Sequence, residues 1–229
     1  MRLVLSVMLG VVLLAGQAFA EEKALLQTSK EKQSYSMGAD IGKRLKSQSI
    51  DVNADSFSLG LKDALSGGKM LLTEEEIRES LSSLQKELME KQAEKNRLLG
   101  EKNKTEGEAF LAENKKKEGV ITLPSGLQYK VIKEGTGKQP SADATVETNY
   151  RGTLIDGTEF DSSYKRGQPA TFPVNGVIQG WTEALQLMKE GAKWQLFVPA
   201  SLAYGERGAG NVIGPNATLI FEVELISVK

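Results

Sequence analysis

Val177-Ile178-Gln179-Gly180-Trp181 sets the frame for the second half of this chain. Two aliphatic residues lead to a glycine, and the glycine leads to the largest kind of apolar ring. Behind the ring, Ala184, Leu185 and Met188 follow Trp181 at helical spacing. The pattern predicts a short helix with a tryptophan in its first turn, approached by backbone with little side-chain bulk. Two readings are open on these residues alone: a core tryptophan, or the floor of an apolar pocket.

On either side of this helix the pattern has period two. Leu127, Tyr129 and Val131 alternate with polar neighbours, as do Val146, Thr148 and Tyr150, then Trp194, Leu196 and Val198. Leu219, Phe221, Val223 and Leu225 alternate most clearly. Asp156-Gly157, between Leu154-Ile155 and Thr158-Glu159-Phe160, predicts a two-residue hairpin turn. The expected fold from residue 118 onward is α+β, a mostly antiparallel sheet curved over one short helix. The loop from Ala203 to Asn216 is long for a compact domain, and such loops tend to be functional.

The first half is helical in pattern. Lys30 to Gln48 has Tyr35, Ala39, Ile41 and Leu45 as its apolar members, with Gly38 and Gly42 on one face, a spacing that suits close approach of another backbone. Asp55 to Leu65 forms a second helix around Phe57, Leu61, Ala64 and Leu65, ended by Gly67-Gly68. Thr73 and Glu76 have capping-box spacing and open a third. Ile77, Leu81, Leu84 and Leu88 make its apolar seam. Beyond Leu88 charges surround the axis, and a helix to about Lys117 would be roughly 65 Å long. A helix polar all round reads as a bridge through solvent, weakened at Gly100 and Gly107, with Phe110 and Leu111 free to dock at its end. The apolar content before residue 90 is too small for an independent core, so a homodimer through these helices is expected. The expected order is a signal segment 1–20, a dimerisation region 21–72, a connecting helix 73–117 and a domain 118–229.

Composition excludes much chemistry. The chain has 229 residues, a formal net charge of −1, no cysteine and no histidine. Thiol and Ser-His-Asp catalysis and imidazole or thiolate metal sites are thereby absent, and balanced charge argues against a nucleic-acid partner. Arg2, the apolar run Leu3 to Leu14 and Ala18-Phe19-Ala20 have the form of a secretory signal, too short to span a membrane comfortably. The expected location is outside the cytoplasm: periplasm, outer membrane or cell surface.

Gly208 to Gly214 mimics a dinucleotide loop, but Pro215 and a strand pattern follow where a helix should open. Asp156, Glu159 and Asp161 face no second acidic cluster that would make a glycosidase pair. Asn103-Lys104-Thr105 and Asn216-Ala217-Thr218 fit the glycosylation pattern, which is short enough to arise by chance. What remains is aromatic. Tyr150, Phe160, Phe172, Trp181, Tyr204 and Phe221, with Asp161, come from separate strands and loops and suggest a concave apolar pocket with few polar groups.

Five runs give this pocket a family likeness: Asn149-Tyr150-Arg151-Gly152, Gly157-Thr158-Glu159-Phe160-Asp161-Ser162-Ser163, Val177 to Trp181, Ala203-Tyr204-Gly205, and Ile213-Gly214-Pro215-Asn216 through Leu225. In this order they resemble the FK506-binding-protein (FKBP) class of peptidyl-prolyl isomerases. Ser34-Tyr35-Ser36-Met37-Gly38 and the long helix resemble its dimeric macrophage-infectivity-potentiator branch. The resemblance implies Asp161, Tyr204, Trp181 and Phe221 as catalytic residues, and Tyr150, Phe160, Phe172, Val177 and Ile178 as the substrate-binding wall. It implies an Ile178 backbone N–H that binds a carbonyl, and Arg166 as a partner of Asp161. No cofactor or metal is implied. The implied ligands are proline-containing polypeptides and macrolide inhibitors of the FK506 and rapamycin type. Ala170 stands where many single-domain members carry an aromatic, and Ala209 where some carry histidine.

Isomerisation suits the composition, because rotation about a peptide bond breaks no covalent bond and needs no histidine, thiol or metal. The expected function is an exported peptidyl-prolyl isomerase that assists folding of exported proteins and has chaperone activity. The alternative is a chaperone or adhesion module that keeps the fold and only binds.

Overall fold

A computed structural model describes residues 26–229. The expected signal segment, Met1 to Ala20, lies outside the described residues. The chain divides into two compact units, the first ending at Leu88 and the second running from Met89 to Lys229.

The first unit holds α1 (Ser29–Ser47), α2 (Ala54–Ser66) and the start of α3 (Glu74–Asn114). Each helix begins with a side chain that satisfies an otherwise orphaned backbone N–H. Thr28 and Glu31 form a reciprocal capping box on α1, Asn53 Oδ1 accepts from Ser56 N at 2.9 Å on α2, and Thr73 and Glu76 repeat the box on α3. Gly67, in the left-handed conformation, ends α2. No residue of α1 or α2 is buried. Tyr35, Phe57, Leu61, Leu65 and Leu81 stand exposed, and among the described residues nothing beyond the helix's own backbone and the chain neighbours comes within 4 Å of a Cβ built on Gly38 or Gly42. The close backbone approach expected at that glycine pair is therefore not made by any other described segment.

The second unit is built on a sheet of β1 (Val120–Thr122), β2 (Gln128–Lys133), β3 (Thr145–Leu154), β4 (Glu159–Ser162), β5 (Ala170–Pro173), β6 (Lys193–Val198) and β7 (Leu219–Val228). The order is β1-β2-β6-β7-β3-β4, with β5 also on β3 and every pairing antiparallel. Register shifts in the β2–β6, β3–β4 and β3–β7 pairs insert extra residues, and such bulges bend a strand and deepen its twist. One face of the curved sheet, through Leu196, Val198, Leu219, Val223 and Leu225, packs with Trp181, Ala184, Leu185 and Met188 in a single buried cluster. Trp181, Ala184 and Leu185 lie on α5 (Gln179–Leu185), so the helix read from the opening stretch is the one the sheet encloses.

Three expectations change. The hairpin after β3 has a three-residue loop: Leu154 N donates to Thr158 O at 2.9 Å, and Gly157 N to Leu154 O at 3.0 Å. Gly157 has φ 87°, the left-handed residue that a type I turn needs before a strand resumes. A short helix, α4 (Ser163–Arg166), and three 3₁₀ turns lie where only loops were expected. The largest change concerns α3. Its charged second half does not cross solvent alone, for Gly100, Gly107 and Asn114 are buried. Phe110 meets Phe197 at 6.0 Å, Asn114 Nδ2 donates to Gln128 Oε1 at 2.9 Å, and Gln128 Nε2 donates to Leu111 O at 2.9 Å. The docking face, Gly100, Asn103, Gly107, Phe110 and Asn114, is spaced three and four apart. Most of these residues are small or amides, so hydropathy does not reveal them.

Candidate active site

Strand β3 pairs with β7 along nearly its whole length, from Val146↔Val228 to Leu154↔Leu219. Its other edge is shared, β5 taking Thr145 to Thr148 and β4 taking Arg151 to Thr153. Tyr150 falls in the gap. Its backbone N–H finds the buried Ser163 Oγ at 2.9 Å in place of a strand carbonyl. A side chain thus replaces the missing ladder partner, and the chain leaves the sheet as α4 between β4 and β5. The break sets Phe160 and Asp161 of β4 and Phe172 of β5 beside Tyr150.

Helix α5 supplies the remaining wall. A Cβ on Gly180 would lie 2.6 Å from Val198 Cγ1, so the helix rests on β6 at a distance that only glycine allows. Thr182 Oγ1 donates to Val174 O at 2.7 Å and ties α5 to the turn before it. Trp181 then stands among three rings, with centroids 5.2 Å from Tyr150, 5.3 Å from Phe221 and 5.9 Å from Phe172, each nearly perpendicular. Phe160 meets Phe221 edge to face at 5.5 Å. Such pairs each contribute about 0.5–1.5 kcal/mol beyond area burial, so the cluster is rigid as well as apolar.

These rings line a cavity of about 670 Å³. All nine residues singled out from the sequence face it: Tyr150, Phe160, Asp161, Phe172, Val177, Ile178, Trp181, Tyr204 and Phe221. Trp181 is 4% exposed, so it is a core ring and a cavity wall at once. Beyond Ala209, which the resemblance already sets at the loop, the sequence reading misses Gly176 and Gly210, Asn211, Val212 and Ile213, which form the rest of the rim. The loop's length was the available signal. Its register was not, because Gly208 and Gly210 take positive φ and only the isolated bridge Ala209↔Ile213 orders its tip. Ala170 and Ala209 both pack against the core, but only Ala209 lines the cavity.

The cavity's polar groups are few and fixed. Tyr150 Oη donates to Asp161 Oδ2 at 2.5 Å, Arg166 Nη2 donates to Tyr150 Oη at 2.8 Å, and Ser162 N donates to Asp161 Oδ1 at 2.8 Å. Arg166 Nη1 closes the triangle on Asp161 Oδ1, so the expected Asp161–Arg166 pair is present. Partial burial opposes the Asp161 charge, but the hydrogen bonds from Tyr150 and Arg166 outweigh it and hold the carboxyl below the usual carboxylate range. Burial, followed by the bond to Asp161, pushes the Tyr150 hydroxyl up. Asp161 is a fixed anion whose oxygens are already engaged, unsuited to shuttling protons. Among the described residues, three of the donors around the cavity have no acceptor to which they are hydrogen-bonded. They are the Ile178 backbone N–H at the rim, the half-exposed Tyr204 hydroxyl, and the buried Trp181 Nε1. Among the described residues no group of three acidic side chains is gathered to hold a metal.

Known sequences match this chain along its length. A profile described as FKBP-type peptidyl-prolyl cis-trans isomerase matches residues 136–226, and one described as the domain amino terminal to it matches residues 30–131. The outer membrane protein MIP of Legionella longbeachae is 52% identical over all of this chain and 98% of its own. The peptidyl-prolyl cis-trans isomerase Mip of Coxiella burnetii is 50% identical over 89% of each. The crystal structure of FkpA from Escherichia coli superposes with a TM-score of 0.70 at 36% identity, covering 89% of this chain and 98% of that one.

Proposed function

This chain belongs to the FKBP-type peptidyl-prolyl cis-trans isomerases, and we propose that its catalysis of X-Pro bond rotation proceeds by seating the proline ring on the face of Trp181. The carrying observation is the cavity itself, a rigid aromatic cup whose one charge is already engaged. Unaided rotation crosses about 18–20 kcal/mol and takes tens to hundreds of seconds. The planar amide is more dipolar than the twisted one, so an apolar wall of Tyr150, Phe160, Phe172 and Phe221 disfavours the ground state. The Ile178 N–H and the Tyr204 hydroxyl donate to substrate carbonyls flanking the bond. Asp161, pinned by Tyr150 and Arg166, acts as an electrostatic and positioning group. A thousand-fold acceleration needs only about 4 kcal/mol of differential stabilisation, within reach of these contacts.

Three further readings belong to this proposal. The protein is exported in a bacterium and works in the periplasm or at the outer membrane, as the name of the Legionella relative suggests for that protein. It is a homodimer through α1, α2 and the seam of α3, where Tyr35, Phe57, Leu61, Leu65 and Leu81 stand exposed among the described residues. Its clients are proline-containing exported proteins, which it also holds as a chaperone, and macrolides of the FK506 and rapamycin type occupy the same cup.

The test is isomerisation of a short X-Pro peptide by the full chain and by Asp161→Leu and Tyr204→Phe. We expect kcat/KM to fall by about tenfold or more for Asp161→Leu, the cost of roughly 1.4 kcal/mol of lost transition-state stabilisation. Equal rates for wild type and Asp161→Leu would remove Asp161 from the mechanism. An isolated domain for such assays should begin near Met89, because a start at residue 118 discards the docked half of α3.

A further inference from the structure

The asparagines of both glycosylation-like triplets turn inward at one contact. Asn103 Nδ2 donates to Pro215 O at 2.8 Å, and Asn216 Nδ2 donates to Gly100 O at 3.4 Å. The helix and the loop approach closely there. A Cβ on Gly214 would lie 2.9 Å from Leu99 Cδ2, and one on Gly100 would lie 3.2 Å from Pro215 Cβ. Two turns further along the helix, a Cβ on Gly107 would lie 3.2 Å from Thr218 Cβ and would strike the threonine hydroxyl. All of these residues belong to the second compact unit.

The loop that rests on this face is the one that rims the pocket. Asn216, with a left-handed φ of 55°, closes the loop at its base by donating its backbone N–H to Gly205 O at 2.8 Å. Ala209 to Ile213 at the other end line the cavity. Between Gly205 and Thr218 the loop has no strand neighbour except its own bridge, Ala209↔Ile213. Its placement is therefore set from its base, and its base is held by α3. Ile213 joins the two ends, lining the cavity while packed in the core at 8% exposure.

We propose that Asn103, together with the Gly100–Gly107 face of α3, positions the 205–218 loop and thereby sets which residue before proline the pocket accepts. This rests on the isomerase reading above. Asn103 touches no substrate, so it is a positioning residue. Small misplacements of a substrate-contacting group are enough to lower turnover by an order of magnitude or more.

The test measures kcat/KM of the full chain on tetrapeptides X-Pro with X as Ala, Leu, Phe or Glu. Asn103→Asp keeps the volume but turns an acceptor toward the Pro215 carbonyl, and Asn103→Ser is the milder version should the first fold poorly. Gly107→Ala adds the methyl that meets Thr218, and Gly107→Ala/Thr218→Ala removes the hydroxyl it would strike. Lys104→Ala, exposed on the same helix, is the control. We expect Asn103→Asp and Gly107→Ala to lower kcat/KM by about tenfold, unequally across X, so that the Leu-to-Glu ratio moves by about threefold or more. The double variant should recover most of the wild-type profile, and Lys104→Ala should match wild type within about twofold. An equal loss for every X, or a loss only in melting temperature with rates per folded molecule unchanged, would overturn the proposal. So would unchanged rates for Asn103→Asp and Gly107→Ala. A wild-type chain inert on all four peptides would sink the isomerase reading itself.

Discussion

The two units of this chain are stabilised by different means. The second, from Met89 to Lys229, owns a continuous core from Leu127 to Leu225, centred on Trp181 and the sheet face above it. In the first unit, α1 and α2 bury no residue, though they carry Tyr35, Phe57, Leu61 and Leu65. The three helices that start in this unit are each capped by a side chain, Thr28, Asn53 and Thr73. Local capping contributes about 1 kcal/mol per helix, while a packed core contributes far more. One unit is thus complete as a fold, and the other presents apolar side chains that no described residue buries.

That contrast can be broken most forcefully at Trp181. Trp181→Ala should destabilise the second unit by about 3–5 kcal/mol, since it empties the centre of the ring cluster. The helicity of α1 and α2 and the mass of the assembly should stay unchanged. Differential scanning calorimetry with light scattering checks both, and a joint loss would mean that the units share one cooperative core. The next effect lies in the first unit. Phe57→Asp should weaken self-association by about a hundredfold, roughly 2.7 kcal/mol, through a charge placed in an apolar interface. Sedimentation across a concentration series reads this, while peptide isomerisation by the second unit should not change. A variant that stays at dimer mass at every concentration would take Phe57 out of the interface, and a wild-type chain at the mass of one monomer would take the homodimer out of the proposal.

The smallest effect is the response to acid. Asp161, Glu159 and Glu190 all sit below the usual carboxylate range in the folded protein. Burial works against Asp161 but its Tyr150 and Arg166 bonds prevail, Lys165 and Arg151 hold Glu159, and the Val228 and Lys138 backbone N–H groups hold Glu190. A depressed folded pKa contributes stability that is complete above the unfolded value and is lost as pH falls through the folded one. The melting temperature of the second unit should therefore be flat from about pH 5 to 8, where a chain without histidine has little to titrate, and should fall below about pH 4. A transition near pH 6.5 in either stability or peptide turnover would contradict this assignment of charges.

The sheet and its enclosed helix were legible because alternation from Val146 to Tyr150 and from Leu219 to Leu225 mirrors burial residue by residue. The pocket residues were legible for a related reason: large rings from separate strands have few ways to be buried together. Three things were hidden. The docking face of α3 is written in Gly100, Asn103 and Gly107, whose contribution is close approach and amide bonding, not hydropathy. The rim from Ala209 to Ile213 has no period at all, since positive-φ glycines set its course. Ser163 was hidden likewise, because nothing local marks a serine that will serve as a strand's missing partner.

The split edge of β3 has a consequence for how this scaffold can be altered. The segment from Ser162 to Ala170 leaves the edge of β3 and returns to that edge, so the ladder on either side fixes the separation of its ends. Its length is free. Lengthening such a closed segment costs only about 0.6 kcal/mol per doubling. Residues grafted between Gly167 and Pro169, both exposed, would stand next to the Arg166 that pins the cavity-lining Asp161. The interruption that makes room for the pocket is thus also the point where a new recognition element can be spliced beside it.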